Sequence, residues 1–216
     1  MTHSLNEIEA LCKRAGRGSG LPWGLAEEAA KGARWLSAFG LPGAEKLADL
    51  LELNDRIPAI DVSPVSLSAE IWHAPVRRMS PLIAGAALSD CAKRLRERGS
   101  ITMENVLFPL LTVPFMGGAA LRLGTPVAVQ WQDARLATDG HQLCLTASEG
   151  ALNAKQSDRL VFTTPAEMTG RKEPVLRASV SESDWSRLST FAHRTFAPAT
   201  EESRLKGAGA GTTDND

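Results

Sequence analysis

The apolar residues of this chain change their period near Ser100, and that change limits the folds open to it. Before Ser100 they mostly recur every three to four residues, the spacing of one helix face. After it they come in short continuous or alternating runs, the spacing of strands. Helix-forming sequence placed ahead of strand-forming sequence predicts an α+β chain. At 216 residues one core suffices. The expected organisation is a single domain over 1–206, helical over 1–53 and strand-rich over 101–180, followed by a glycine and alanine tail at 207–216.

In the helical part, Ser4 and Glu7 have the spacing of a capping box, and Leu5, Ile8, Leu11, Cys12 and Ala15 form a stripe that ends at Gly16. Gly16 to Gly20 is expected to be a loop. Pro22 then suits the first turn of a second helix reaching Phe39, and Ala44, Leu47, Leu50 and Leu51 mark a third that breaks at Asn54-Asp55. Residues 57–78, with three prolines, are expected to be mostly irregular, with edge strands near Ile60–Val62 and Ile71-Trp72. Ser80-Pro81 opens a helix expected to run unbroken to Gly99.

In the strand-rich part, the apolar run from Val106 to Val113 predicts a buried strand closed by Pro114. A short helix over Phe115–Leu123, capped by Gly124, and a strand over Val127–Trp131 would complete a β-α-β unit. Asp139-Gly140 predicts a type I′ hairpin, and Leu160–Thr163 and Val175–Val180 further strands, giving a mixed sheet of four to six. Ser181 and Asp184 cap a last helix with Trp185, Leu188 and Ala192 on its apolar face. Trp35, Leu88, Val113, Trp131 and Leu188 are expected in the core.

Composition excludes several functions. Lysine and arginine (24) nearly balance aspartate and glutamate (25), so no overall field gathers nucleic acid or an anionic membrane. The basic run from Lys93 to Arg98 reads as a solvated helix end. No stretch approaches the roughly 18 apolar residues that span a bilayer. Three widely spaced cysteines, Cys12, Cys91 and Cys144, cannot complete a set of internal bridges, and a reducing, cytoplasmic setting is expected. The absence of tyrosine removes tyrosine acid/base chemistry. His3, His73, His141 and His193 stand singly, without metal-ligand spacing, so no metal ligands are assigned. Neither a nucleophile elbow nor a phosphate-binding P-loop is present.

Three stretches hold the polar residues that the helix and strand patterns leave unexplained. Gly16 to Gly20, beside Lys13, Arg14 and Arg17, would form an anion site if its backbone N–H groups were free ahead of a helix start. A helix, and not a strand, precedes these glycines, which argues against a dinucleotide loop. On the second helix, Glu27 and Glu28 are candidate acid/base groups near Trp23 and Lys31. Adjacent helix residues diverge by about 100°, so only one can face a given cleft. Near the end, His193, Arg194, Thr195, Glu201, Ser203 and Arg204 gather an acid, a base, hydroxyls and guanidinium groups around Pro198. The competing readings are a plain turn, ordinary i, i+4 pairing and a polar terminal helix. Catalytic candidates are thus Glu27, Glu28, His193 and Glu201. Ligand-binding candidates are Arg17, Gly18, Gly20, Trp23, Arg194, Thr195, Ser203 and Arg204.

The stretches Gly20-Leu-Pro-Trp-Gly-Leu-Ala-Glu-Glu-Ala29 and Arg194-Thr-Phe-Ala-Pro-Ala-Thr-Glu-Glu-Ser-Arg-Leu205, with the glycine-alanine tail, resemble a family of bacterial proteins known as a domain of unknown function. Phe196 stands where that resemblance leads to a tyrosine. It implies a bacterial source and no particular activity. The first fifty residues are also similar in layout to the helical amino terminus of malate/lactate-type nicotinamide dehydrogenases that lack a Rossmann domain, but no residue here matches that family's catalytic histidine.

These readings lead to an enzyme or ligand-binding protein for a small anionic metabolite, cofactor unknown, with its site where the Gly16–Glu28 region meets the Arg194–Arg204 segment. Neither nucleic acid nor membrane is expected as a partner. The alternative is a noncatalytic assembly subunit, a homo-oligomer among the options, whose tail docks on a neighbouring chain.

Overall fold

Ser4 starts the first helix as its sequence predicts. Its hydroxyl accepts a hydrogen bond from the Glu7 backbone N–H (3.2 Å), while the Glu7 carboxylate accepts from the Ser4 N–H (2.7 Å). The computed structural model describes residues 1–196. Strand β1 (Thr2–Ser4) leads into α1 (Leu5–Gly18), α2 (Trp23–Ala38) and α3 (Gly43–Leu53). These helices pack through small residues. A β-carbon on Gly16 would lie 3.2 Å from that of Ala26, and Gly43 sits against the backbone of Ala33. Side chains as small as these let helix axes approach closely.

The connection from α3 differs from its expected form at Ile60–Val62 and agrees with it at Ile71-Trp72. Ala59–Val62 is one helical turn, α4, and Ile71-Trp72 is an edge strand, β2. The expected single helix after Ser80 is two, α5 (Pro81–Asp90) and α6 (Ala92–Arg98), because the backbone at Cys91 (φ −89°, ψ 19°) leaves helical geometry. The apolar stripe is continuous across the break, so periodicity does not reveal it.

The strand expected over Val106–Val113 begins and ends earlier, as β3 (Ser100–Leu107). Phe108 takes a left-handed conformation and Pro109 cannot donate to a ladder, so Pro109–Thr112 closes into a 3-10 turn with its side chains buried. An apolar run reports burial and not the type of element. Pro114 lies in the first turn of α7 (Val113–Leu123), which ends at a left-handed Gly124.

Strands β4 (Val127–Trp131) and β5 (Ala134–Thr138) form a hairpin with a two-residue turn at Gln132-Asp133. The next connection, to β6 (Leu143–Thr146), has four residues where two were expected. Asp139 explains the difference. Its carboxylate accepts from the N–H groups of His141 and Gln142, both at 2.8 Å, and this Asx arrangement replaces a type I′ turn. A turn of helix, α8 (Glu149–Leu152), precedes β7 (Gln156–Thr163), which enters the middle of the sheet. Strands β8 (Arg171–Lys172) and β9 (Arg177–Ser179) follow, then α9 (Glu182–His193) with Ser181 as its cap.

The main sheet has the order β2-β3-β7-β4-β5-β6-β8, and β1 pairs with β9 in a separate ribbon. The α+β class thus holds. The sheet exceeds the expected four to six strands by its two-residue edges. Both β3 and β4 run antiparallel to β7, so they are parallel to each other, and β3-α7-β4 is a crossover with β7 inserted between its strands. Ile101, Met103, Val129, Trp131, Leu136, Leu160 and Phe162 are buried on the sheet. Leu88, Val113, Trp131 and Leu188 are core residues as expected. Trp35, expected in the core, is only partly buried and lines a surface cavity.

Candidate anion-binding groove

The ends of α1 and α9 meet at the start of α2, and a groove of about 730 Å³ opens there. It is lined by Arg17, Gly18, Gly20, Trp23, Arg194 and Thr195, six of the residues singled out as ligand-binding, and Lys13 and Arg14 complete it. The juxtaposition depends on Gly18. A β-carbon there would lie 1.7 Å from the Phe191 carbonyl oxygen, so only glycine lets α9 end against α1. Lys13 and Arg17, one turn apart on α1, then face the indole of Trp23. The Arg17 guanidinium lies 4.6 Å and the Lys13 ammonium 5.6 Å from the ring centroid.

The chemical basis differs from the expected one. Gly16 and Gly18 belong to α1, and the next three N–H groups are already bonded: Ser19 to Ala15 O, Gly20 to Arg17 O and Leu21 to Gly16 O. Glycine here permits close packing and a left-handed turn at Gly20 (φ +97°), and it does not free a nest of amides. Attraction for an anion must therefore come from side chains.

Two of the four cations are already neutralised. Lys13 donates to Glu27 at 2.5 Å, and Arg194 holds Asp55 through two nitrogens at 2.8 and 3.2 Å while lying over the Phe191 ring. Hydrogen bonding from Lys13 lowers the Glu27 pKa, hydrogen bonding from Arg194 lowers that of Asp55, and Asp55 in turn raises that of Arg194. Arg14 and Arg17 have no carboxylate within salt-bridge distance among the described residues. Arg17 is steadied by donating to the Leu21 carbonyl. Among the described residues the groove thus carries two arginines without carboxylate partners beside an exposed indole.

The acid/base candidates do not converge on it. Glu27 is engaged with Lys13. Glu28 points elsewhere, lining a separate cavity of about 460 Å³ with Lys31, Trp35 and Arg122. His193 is exposed, with its ring near that of Phe196. Glu201, Ser203, Arg204 and the 207–216 tail lie outside the described residues. The divergence of Glu27 and Glu28 is what adjacent helix positions impose. Asp55, the partner of Arg194, escaped the sequence reading because 139 residues separate the two. Its only local signal was its place at the end of α3.

Among the described residues, no three His, Cys, Asp or Glu side chains group so as to hold a metal ion, and no helix is long and apolar enough to cross a membrane. No curated protein matches the chain. Residues 3–80 match the family described as a protein of unknown function (DUF3726), a span that takes in the groove residues of α1 and α2 and the Gly20–Ala29 stretch that suggested such a family, and leaves Arg194 and Thr195 outside.

Proposed function

We propose that this chain is a binding protein for a small anionic molecule, held in the groove between α1, the start of α2 and the end of α9. The observation that carries this reading is the pair Arg14 and Arg17, left without carboxylate partners beside an exposed Trp23 among the described residues, while Lys13 and Arg194 have theirs. Two guanidinium groups suit a phosphate or a dicarboxylate, because each offers a planar fork of donors. Among the described residues the lining holds no carboxylate, imidazole or thiol to move a proton, which favours binding over catalysis. The three unbridged thiols support a reducing compartment, the cytoplasm.

Thermal denaturation in the presence of inorganic phosphate, pyrophosphate or citrate tests the reading, since an anion that binds only the native state must raise its midpoint. The expected result is a rise of several degrees at millimolar anion for at least one of them, abolished by Arg14→Ala combined with Arg17→Ala and weakened by high sodium chloride. A rise that persists in the double variant, or no rise with any of the three, overturns it.

A further inference from the structure

A further cavity, of about 590 Å³, is lined on one side by the Ser19–Pro22 turn. Its wall is predominantly apolar, with Leu21, Leu25, Leu50, Ile57, Leu82 and Ile83 contributed by the turn and by α2, α3 and α5 together with the connection after α3. An apolar hollow of this size is in the range of small-molecule sites, and leaving it filled with water is unfavourable. Gly20 lines both this cavity and the cationic groove. Its left-handed turn carries no side chain, and a β-carbon placed there would have nothing within 4 Å. Gly20 itself thus puts no side chain between the two spaces, and Arg17 of the groove donates to the carbonyl of Leu21, a residue of the apolar wall.

We infer that the ligand is an amphipathic anion: a phosphate or carboxylate head on Arg14 and Arg17, and a single apolar chain or ring system passing Gly20 into the leucine and isoleucine pocket. The inference rests on the anion-binding reading above and deepens it. The two anchoring arginines lie on α1 and the apolar area comes chiefly from α2, α3 and α5, with Asn54 and Arg56 as the larger polar members of that wall, so the two parts of the affinity can be altered separately. The occupant is a free molecule and not a bilayer, because the apolar part is a recess between helices, with Arg17 bonded to the carbonyl of Leu21 in its wall.

A ladder of alkyl phosphates, from methyl through butyl and hexyl to octyl, each kept below its micelle concentration, tests this by titration calorimetry. Burying each methylene is expected to tighten binding roughly fourfold, the equivalent of about 0.8 kcal/mol, until the pocket is filled. Ile83→Trp, and independently Ile57→Trp, place an indole in the pocket from half-buried positions. Each should flatten the ladder while leaving inorganic phosphate binding unchanged, and two variants guard against one failing to fold. Arg14→Ala with Arg17→Ala should weaken every rung by a similar factor.

The outcomes separate the two readings. If phosphate binds but chain length makes no difference, the amphipathic assignment falls and the anion groove stands. If no rung and no inorganic anion binds, both fall. A ladder that survives both tryptophan variants places the chain elsewhere and overturns the inference. So does co-sedimentation with phosphatidylcholine vesicles containing phosphatidic acid when the soluble ladder is flat.

Discussion

Gly18 is held so close to Phe191 that a β-carbon on it would fall 1.7 Å from the Phe191 carbonyl oxygen. The obstacle is backbone, which cannot swing aside as a side chain can. Gly18→Ala must therefore push the end of α9 away from α1. Overpacking of this kind costs about 1–3 kcal/mol, against the roughly 1 kcal/mol that alanine gains over glycine within a helix. A net loss is expected, read as a lower urea midpoint, together with weaker anion binding because Arg194 and Thr195 move with α9. An unchanged midpoint would show that the helix ends are not in contact in solution.

Leu88 tests the core beneath the site. It is fully buried on α5, which packs against α7. Leu88→Ala should lower stability by about 2–5 kcal/mol in urea denaturation, the range for a leucine cavity that the surroundings cannot close. A loss below about 1 kcal/mol would place Leu88 at the surface.

Elements whose caps and periodicity agree were legible in the sequence. The Ser4 and Ser181 caps, the glycine stop after α7 and the helical first quarter are all local signals, and each is where it was expected. The misreadings have a common cause. Val106–Val113 and the helix broken at Cys91 are continuous in apolar character; the first is divided by the left-handed Phe108 with Pro109 after it, the second by backbone geometry at Cys91. An apolar helix face predicts Trp35 in the core, yet α2 turns it to the rim of a cavity, where it meets Phe39 edge-on at 4.7 Å. At the site, the residue types were legible and their roles were not. Gly16 and Gly18 look like a loop because glycine is a poor helix former, and their true constraint is contact with other helices, Gly16 with Ala26 on α2 and Gly18 with the distant Phe191 on α9. The pairing of Arg194 with Asp55 is invisible for the same reason.

The thiols give a chemical check on packing. Cys12 is buried in α1, and that burial pushes its pKa up to about 12; burial also raises that of Cys144. A thiol that stays protonated is a poor nucleophile. Cys91, at the break between α5 and α6, is partly exposed. Native protein at pH 8 is expected to react with a disulfide reagent such as DTNB at one thiol quickly, and at all three only after denaturation. Fast reaction of Cys12 in the folded protein would contradict its placement. A Cys91→Ser variant should remove the fast phase alone.

Arg187 ties α9 to α3 and sets the acid response of the fold. It donates to Asp49 at 2.6 Å, to Glu52 at 2.7 and 2.8 Å and to Asp184 at 2.8 Å. Its hydrogen bond holds the Glu52 carboxyl below its ordinary value, and the carboxylates raise the guanidinium pKa well above its own. Asp55 is lowered in the same way by Arg194. A carboxyl whose folded pKa lies below its unfolded one stabilises the fold fully above the unfolded value, near 4, and loses that contribution as pH falls through the folded value. The raised guanidinium contributes unchanged at every pH below about 12, so it adds no slope in this window. Stability should thus be flat from pH 7 to about 5 and decline below about 4. Arg187→Met keeps most of the side chain's bulk and removes its charge. At pH 7 it is expected to cost about 1–2 kcal/mol, the partial exposure of these groups having been allowed for. Asp49, Glu52 and Asp184 would then repel one another without their cation, and protonation would relieve the repulsion. Acid should therefore hurt the variant less than the parent, so their urea midpoints converge between pH 5 and 3. Parallel curves would mean that Arg187 does not hold these carboxylates in solution.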